Sequence, residues 1–227
     1  MTPMVMAIAT RYWTGWGRCV TSWMDTAAAG HQYYVVGDKD VLPAYQDAYE
    51  HTSEPILAMI HDDVMIYETG WDTRVLEEFN DRNVGVVGFA GGLGHGSHNL
   101  YTSAYHLPNL ARQTFLSNLS DAEMHGARFK GARDVAILDG LAIFVRRAIL
   151  DKVGGWPLDK PIGYWLYAEW LCCEARRQGY RIRLVGVDVE HLGGRSSGYI
   201  AKSPTYEEAH WYLYDTNRDV LPYRVKE

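Results

Sequence analysis

No stretch of this 227-residue chain approaches the roughly 18 consecutive apolar residues that a membrane-spanning helix needs. The first apolar run, Met4–Thr10, is too short for the core of a secretory leader and has no cleavage pattern after it. Cysteine is scarce: the chain has 3, and Cys172 and Cys173 are neighbours that cannot easily bridge each other. A disulfide framework is therefore excluded, and a reducing, cytoplasmic setting is the expectation. Basic charge is in deficit, with 22 Lys and Arg against 28 Asp and Glu for a net charge of −6. That balance argues against a dedicated nucleic-acid surface. His95, His98 and His106 lack cysteine partners and regular ligand spacing, so they do not build a structural zinc site. Internal repeats, charge blocks and linkers are all missing, which leaves one domain over residues 1–227.

What is present is ordinary globular composition, 47% hydrophobic and 22% charged, with an excess of tryptophan (8) and tyrosine (16). Aromatic excess means either stacking surfaces for sugars and bases or a bulky core, and for any single ring the core is the first expectation. Along the first ninety residues, apolar runs alternate with helical spacing. Strands are expected at Met4–Ala9, Gln32–Val36, Ile56–Ile60 and Val84–Phe89, with helices at Arg11–Ala29, Val41–His51 and Trp71–Asn80. This is the pattern of β-α-β units and a mostly parallel sheet.

Residues 91–134 open with Gly91-Gly-Leu-Gly-His-Gly-Ser-His98 and show no sustained period, as expected of an acceptor-facing insertion or lid. Order returns with a bent strand or strand pair at Val135–Val145, broken at Asp139-Gly140. A helix at Arg147–Val153, a helix at Tyr164–Gln178 and a strand at Arg181–Val187 follow. Thr205-Tyr-Glu-Glu208 has the form of a capping box opening a C-terminal helix within residues 199–227. Arg176, Arg177, Arg181 and Arg183 are expected on a solvated face.

The stretch with the most chemical content is Ile56-Leu-Ala-Met-Ile-His-Asp-Asp-Val64. A buried strand ending in adjacent carboxylates puts negative charge where the sheet meets solvent. A divalent cation is well held there, and such a cation usually holds a phosphate.

Taken with Leu138-Asp139-Gly140, Val153-Gly-Gly-Trp156, Glu174-Ala-Arg-Arg-Gln-Gly-Tyr-Arg-Ile182 and His191-Leu-Gly-Gly-Arg-Ser-Ser197, this segment resembles the GT-A fold glycosyltransferases, in particular the family-2-like group. The pieces follow the family's order across most of residues 1–198. The resemblance implies a Rossmann-like α/β sheet flanked by helices, with a nucleotide-binding half at 1–90 and an acceptor and metal half at 91–198. It implies a nucleotide-sugar donor, a Mn2+ or Mg2+ ion and transfer to a hydroxyl acceptor.

In that frame Asp63 aligns with the family's last acidic metal position, while His61 stands where the first carboxylate often is. Asp62 is assigned to the ribose. Asp38, after the second strand, falls where members bind the base or ribose, although a helix-capping aspartate is equally ordinary there. Asp40 is a weaker substitute. The resemblance places Asp139 where the family shapes the acceptor and donor pocket, among the catalytic residues. It interrupts an apolar run, so it must find a partner or face a cleft, or else make a tight turn. His191 resembles the histidine that meets metal or diphosphate, and Arg195 in the glycine-serine run is placed to meet phosphate oxygens. Glu169 is the general base of choice. The family's acidic positions fall on Ala168 and Trp170, and one helical step is a rotation of about 100°. The function read from the chain is metal-dependent glycosyl transfer, inverting at the sugar. A nucleotidyltransferase is a rival, though Thr10-Arg-Tyr-Trp-Thr-Gly-Trp-Gly-Arg18 is a poor phosphate loop. A non-catalytic nucleotide-sugar-binding module is the second rival.

Overall fold

The computed structural model describes residues 4–10, 16–37, 39–95, 115–117, 127–163, 165–192 and 204–225. The first part runs β1 (Met4–Thr10), α1 (Trp16–Thr26), β2 (Gln32–Gly37), α2 (Val41–His51), β3 (Ile56–His61), β4 (Val64–Ile66), α3 (Trp71–Glu78) and β5 (Val84–Gly88). Five short strands follow: β6 (Ala90–Gly92), β7 (Gly94–His95), β8 (Phe115–Ser117), β9 (Ala127–Arg128) and β10 (Gly131–Asp134). The remainder is β11 (Ile137–Leu138), β12 (Ala142–Arg146), α4 (Arg147–Val153), α5 (Tyr167–Arg177), β13 (Arg181–Gly186), β14 (Val189–His191), α6 (Pro204–Thr216) and β15 (Tyr223–Arg224).

Among the described residues a seven-stranded sheet has the order β10-β13-β5-β12-β3-β1-β2. β1 lies parallel between β2 and β3, and β13 is parallel to β5. β12 is antiparallel to β3 and to β5, and β10 is antiparallel to β13. Most strands therefore share one direction, as the β-α-β pattern predicts, and two run against it. Side chains alternate between the faces of a strand. Val5, Ala7, Leu57, Met59 and Val145 join residues of α2, α4, α5 and α6 in one core. Met4, Met6, Ile8, Ala58 and Phe144 join residues of α1 and α3 in the other. Burial on both faces is why these strands read as continuous apolar runs. Much of the aromatic excess goes into these cores: Trp23 meets Trp71 edge-on at 4.7 Å, and Phe89 lies 5.3 Å from Phe144. Trp156 and Trp170 are buried on the opposite face.

Several elements differ from expectation. α1 ends at Thr26 because the next N–H groups leave the helix: Ala28 and Ala29 donate to the buried Asp72 carboxylate at 2.8 and 3.0 Å. Within 91–134 the described residues are largely strand: β6, β8 and β9 join β11 in a second small sheet and β10 edges the main one, while 96–114 and 118–126 lie outside the described residues. α6 starts at Pro204, so Thr205 lies inside its first turn and is not the cap; proline at the first helical position needs no N–H partner. Arg177 and Arg181 are exposed, as expected, while Arg176 and Arg183 are partly buried, and all four are tied down by partners. Arg176 donates to the Ala136 carbonyl and to His95, and lies over the Tyr223 ring. Arg177 clamps Asp219 at 2.9 Å, and Arg181 and Arg183 share Asp134.

Candidate metal and sugar-transfer site

Parallel register brings the ends of the first strands to one edge of the sheet, with Ala9 opposite both His61 and Val36. β12 enters at the same edge, where His61 N–H donates to the Leu141 carbonyl at 3.0 Å. His61 closes β3, residues 62 and 63 make the turn, and Val64 opens β4. The turn is held from behind by α1. Trp23 Nε1 donates to the Val64 carbonyl at 2.8 Å, and the Cys19 thiol lies 3.4 Å from the His61 carbonyl and 3.2 Å from that of Val64. The Cys19 thiol is pushed up to about 12 by burial, so it serves as a small buried donor and not as a nucleophile.

After β13 the chain turns back and β14 pairs antiparallel with β4, His191 facing Val64 and Val189 facing Ile66. Leu192 N–H extends the pairing to the Asp63 carbonyl at 2.9 Å. This short ladder sets His191 Nε2 3.2 Å from Asp63 Oδ1. His61, Asp63 and His191 can each aim one ligand atom so that all lie within 4.8 Å of one another. Burial opposes ionisation of Asp63, but the His191 hydrogen bond and the two imidazoles outweigh it and hold the carboxyl below its ordinary range. Burial, then His191, lowers the pKa of His61. A metal takes such a set with the carboxylate ionised and the imidazoles deprotonated, so its binding would release any proton they carry.

α5 presents its first turn to this edge. The Tyr167 hydroxyl lies 2.9 Å from His61 Nε2 and donates to the Gly140 carbonyl at 2.6 Å. Glu169, in the same turn, is 6% exposed, and its Oε2 has no hydrogen-bond partner among the described residues. Burial, offset in part by a backbone hydrogen bond and reinforced by Asp139, holds its carboxyl well above the ordinary range. Asp139 makes a tight turn, its Oδ1 accepting Leu141 N–H at 3.0 Å, while its charge reaches both His61 and Glu169.

Residues 32–221 match the profile of a family described as glycosyltransferase like. The chain belongs to that family. By fold the glycosyltransferase is similar to the mannosyltransferase PcManGT from Pyrobaculum calidifontis, solved in complex with GDP-Man and Mn2+. The TM-score is 0.55 at 12% identity, covering 96% of this chain and 72% of that one. It is also similar to A197 from STIV, with a TM-score of 0.50 at 14% identity and 83% of each chain covered. At such identities the likeness establishes the arrangement of the fold, which is GT-A. No curated protein sequence matches the chain.

Of the residues singled out in the glycosyltransferase sequence, the fold brings Asp63, His191, Asp139 and Glu169 to one end of the sheet. Asp62 sits half-buried in the same turn but outside the ligand cluster. Asp38 and Arg195 lie outside the described residues. Asp40 occupies the N-cap position of α2 and makes no capping side-chain hydrogen bond. Sequence reasoning named His61 only as a substitute for a carboxylate and missed it as a member of the cluster that could hold a metal. It missed Tyr167 altogether, since nothing local ties that tyrosine to a histidine in β3 or a glycine before β12.

Proposed function

We propose that this glycosyltransferase moves a sugar from a nucleotide-sugar donor to a hydroxyl acceptor with the help of a divalent cation held by His61, Asp63 and His191. The observation that carries the reading is the pairing of β14 with β4, which sets a distant imidazole against the carboxylate at the tip of β3. The donor set fits a cation: two nitrogens and a carboxylate oxygen, all converging. Imidazole nitrogens rank Mn2+ above Mg2+, which prefers oxygen alone. A cation held by these three residues would supply positive charge against the donor diphosphate, which would ease its departure.

The chain's own groups supply the rest. Asp62 is assigned to the ribose and Asp38 to the base or ribose, because β2 and β3 end at the same edge. Arg195 is assigned to phosphate oxygens. Glu169 takes the proton of the acceptor hydroxyl as its oxygen attacks the anomeric carbon. A single displacement of this kind inverts the configuration. The raised pKa makes ionised Glu169 a stronger proton acceptor. Asp139 is the group whose charge raises it further. The donor of the solved mannosyltransferase, GDP-Man, is the first compound to try.

The test is binding and hydrolysis of nucleotide sugars by the purified protein with Mn2+. The expected result is Mn2+-dependent binding with slow release of the free nucleotide, both lost in Asp63→Ala. A wild-type protein that neither binds nor cleaves any nucleotide sugar, with Asp63→Ala behaving identically, sinks the proposal. Release of pyrophosphate in place of a nucleotide would point to nucleotidyl transfer instead.

A further inference from the structure

We infer that Tyr167 is a positioning residue of this site: its hydroxyl, anchored on the Gly140 carbonyl, forces the proton of neutral His61 onto Nε2 and leaves Nδ1 as the nitrogen that meets the cation. The inference rests on the metal reading given above, but its first half concerns the metal-free protein.

A phenol hydroxyl carries one hydrogen and two lone pairs. The Tyr167 oxygen is 2.6 Å from the Gly140 carbonyl oxygen. Two oxygens that close must hold a hydrogen between them, and only the phenol has one to give. The second contact, 2.9 Å to His61 Nε2, then requires the imidazole to donate. A nitrogen that carries a proton has no lone pair for a metal, so the ligand atom is fixed by elimination. The tyrosine is itself immobilised. It is 2% exposed, 5.6 Å from the Tyr45 ring and 6.1 Å from that of Trp156. Residue 140 must be glycine for this contact, because a Cβ there would overlap the Tyr167 hydroxyl. Metal-binding histidines are commonly oriented by such an outer partner, whose loss weakens metal affinity. Tyr167 and Glu169 share the first turn of α5, so the orientation of a ligand and the placement of the base are set by one rigid piece of backbone.

The experiment uses the full chain labelled with 15N-histidine. Long-range 1H–15N spectra of the metal-free protein should show His61 with its proton on Nε2, the resonance being assigned by its loss in His61→Gln. Tyr167→Phe should give a mixture of tautomers and weaken Mn2+ binding about tenfold or more, read by the EPR signal of unbound Mn2+. Gly140→Ala, which keeps the tyrosine but displaces its hydroxyl, should act in the same direction. A wild-type His61 protonated on Nδ1 overturns the inference even if Mn2+ binds. So does a folded Tyr167→Phe protein with unchanged tautomer and Mn2+ affinity. Wild-type protein that shows the Nε2 proton yet takes up no Mn2+ overturns the ligand role of Nδ1 and the metal reading beneath it.

Discussion

Glu169 sits in the first turn of α5 with one carboxylate oxygen unpartnered among the described residues and a pKa raised chiefly by burial. Such a group destabilises the fold once it ionises. Between its unfolded and folded pKa values the native state holds more protons than the unfolded chain, so stability falls as pH rises through that window. Below the ordinary carboxylate range both states are protonated and the penalty is absent. Glu169→Gln should therefore raise the thermal midpoint at neutral pH and flatten this slope, seen in melts across a pH series. The same substitution should lower the transfer rate on the order of 10²–10⁴-fold. In the wild type, activity should climb with pH through the raised pKa. A variant that is no more stable, or that keeps full activity, removes Glu169 from the role of base. The family-based count left this residue one helical step from the usual acidic positions. The structure turns it inward, because Tyr167, Ala168, Trp170 and Leu171 are buried around it and the first turn is enclosed on most sides.

Elements that look merely structural in the chain hold the reacting end in place. α1 grips the turn after β3 through Trp23 and Cys19, and its own exit is tied down by Asp72 at the start of α3. That carboxylate is 1% exposed and accepts from Ala28 N–H, Ala29 N–H and His31 Nε2. Burial alone would raise its pKa; the Ala28 N–H, His31 and Ala29 N–H outweigh burial and hold it low. A lowered pKa contributes stability that is present above the unfolded value and lost as pH falls through the folded one. Asp72→Ala should cost on the order of 3 kcal/mol in urea denaturation at neutral pH, because a buried charge partner disappears and its donors are left bare. The deficit should shrink on acidification, and a loss well under 1 kcal/mol would refute the pinning role. In sequence, the helix Val41–His51 was legible from its spacing and Arg147–Val153 from the Gly154-Gly155 pair that closes it. β4 and β14 were not, since three residues carry no period and their pairing is entirely non-local.

At the scale of the molecule, the site is assembled where parallel strands end and the chain returns late to meet them. Ligands that bind only this assembled state should stabilise it by mass action, by about 2.7 kcal/mol at a hundredfold excess over Kd. For a chain of this size that is a rise of roughly 5–10 °C in the melting midpoint. In a screen of nucleotide sugars, the rise due to the sugar nucleotide should appear only with Mn2+ present, over the shift that Mn2+ alone gives, and neither should appear in Asp63→Ala. Equal shifts with and without the metal would separate donor binding from the cation. Among the described residues no helix is long and apolar enough to cross a membrane.

The amino-acid order by itself determined the alternation of strands and helices, the two-faced burial of the central strands and the acidic tip of β3. Each depends on neighbours within one element, where hydrophobic period and turn chemistry act directly. Only the tertiary structure decided which histidine nitrogen faces Asp63, that His191 comes back to it along β14, and that Tyr167 stands behind His61. Those contacts join residues far apart in the chain, and their geometry is set by strand register and core packing, which no local pattern encodes.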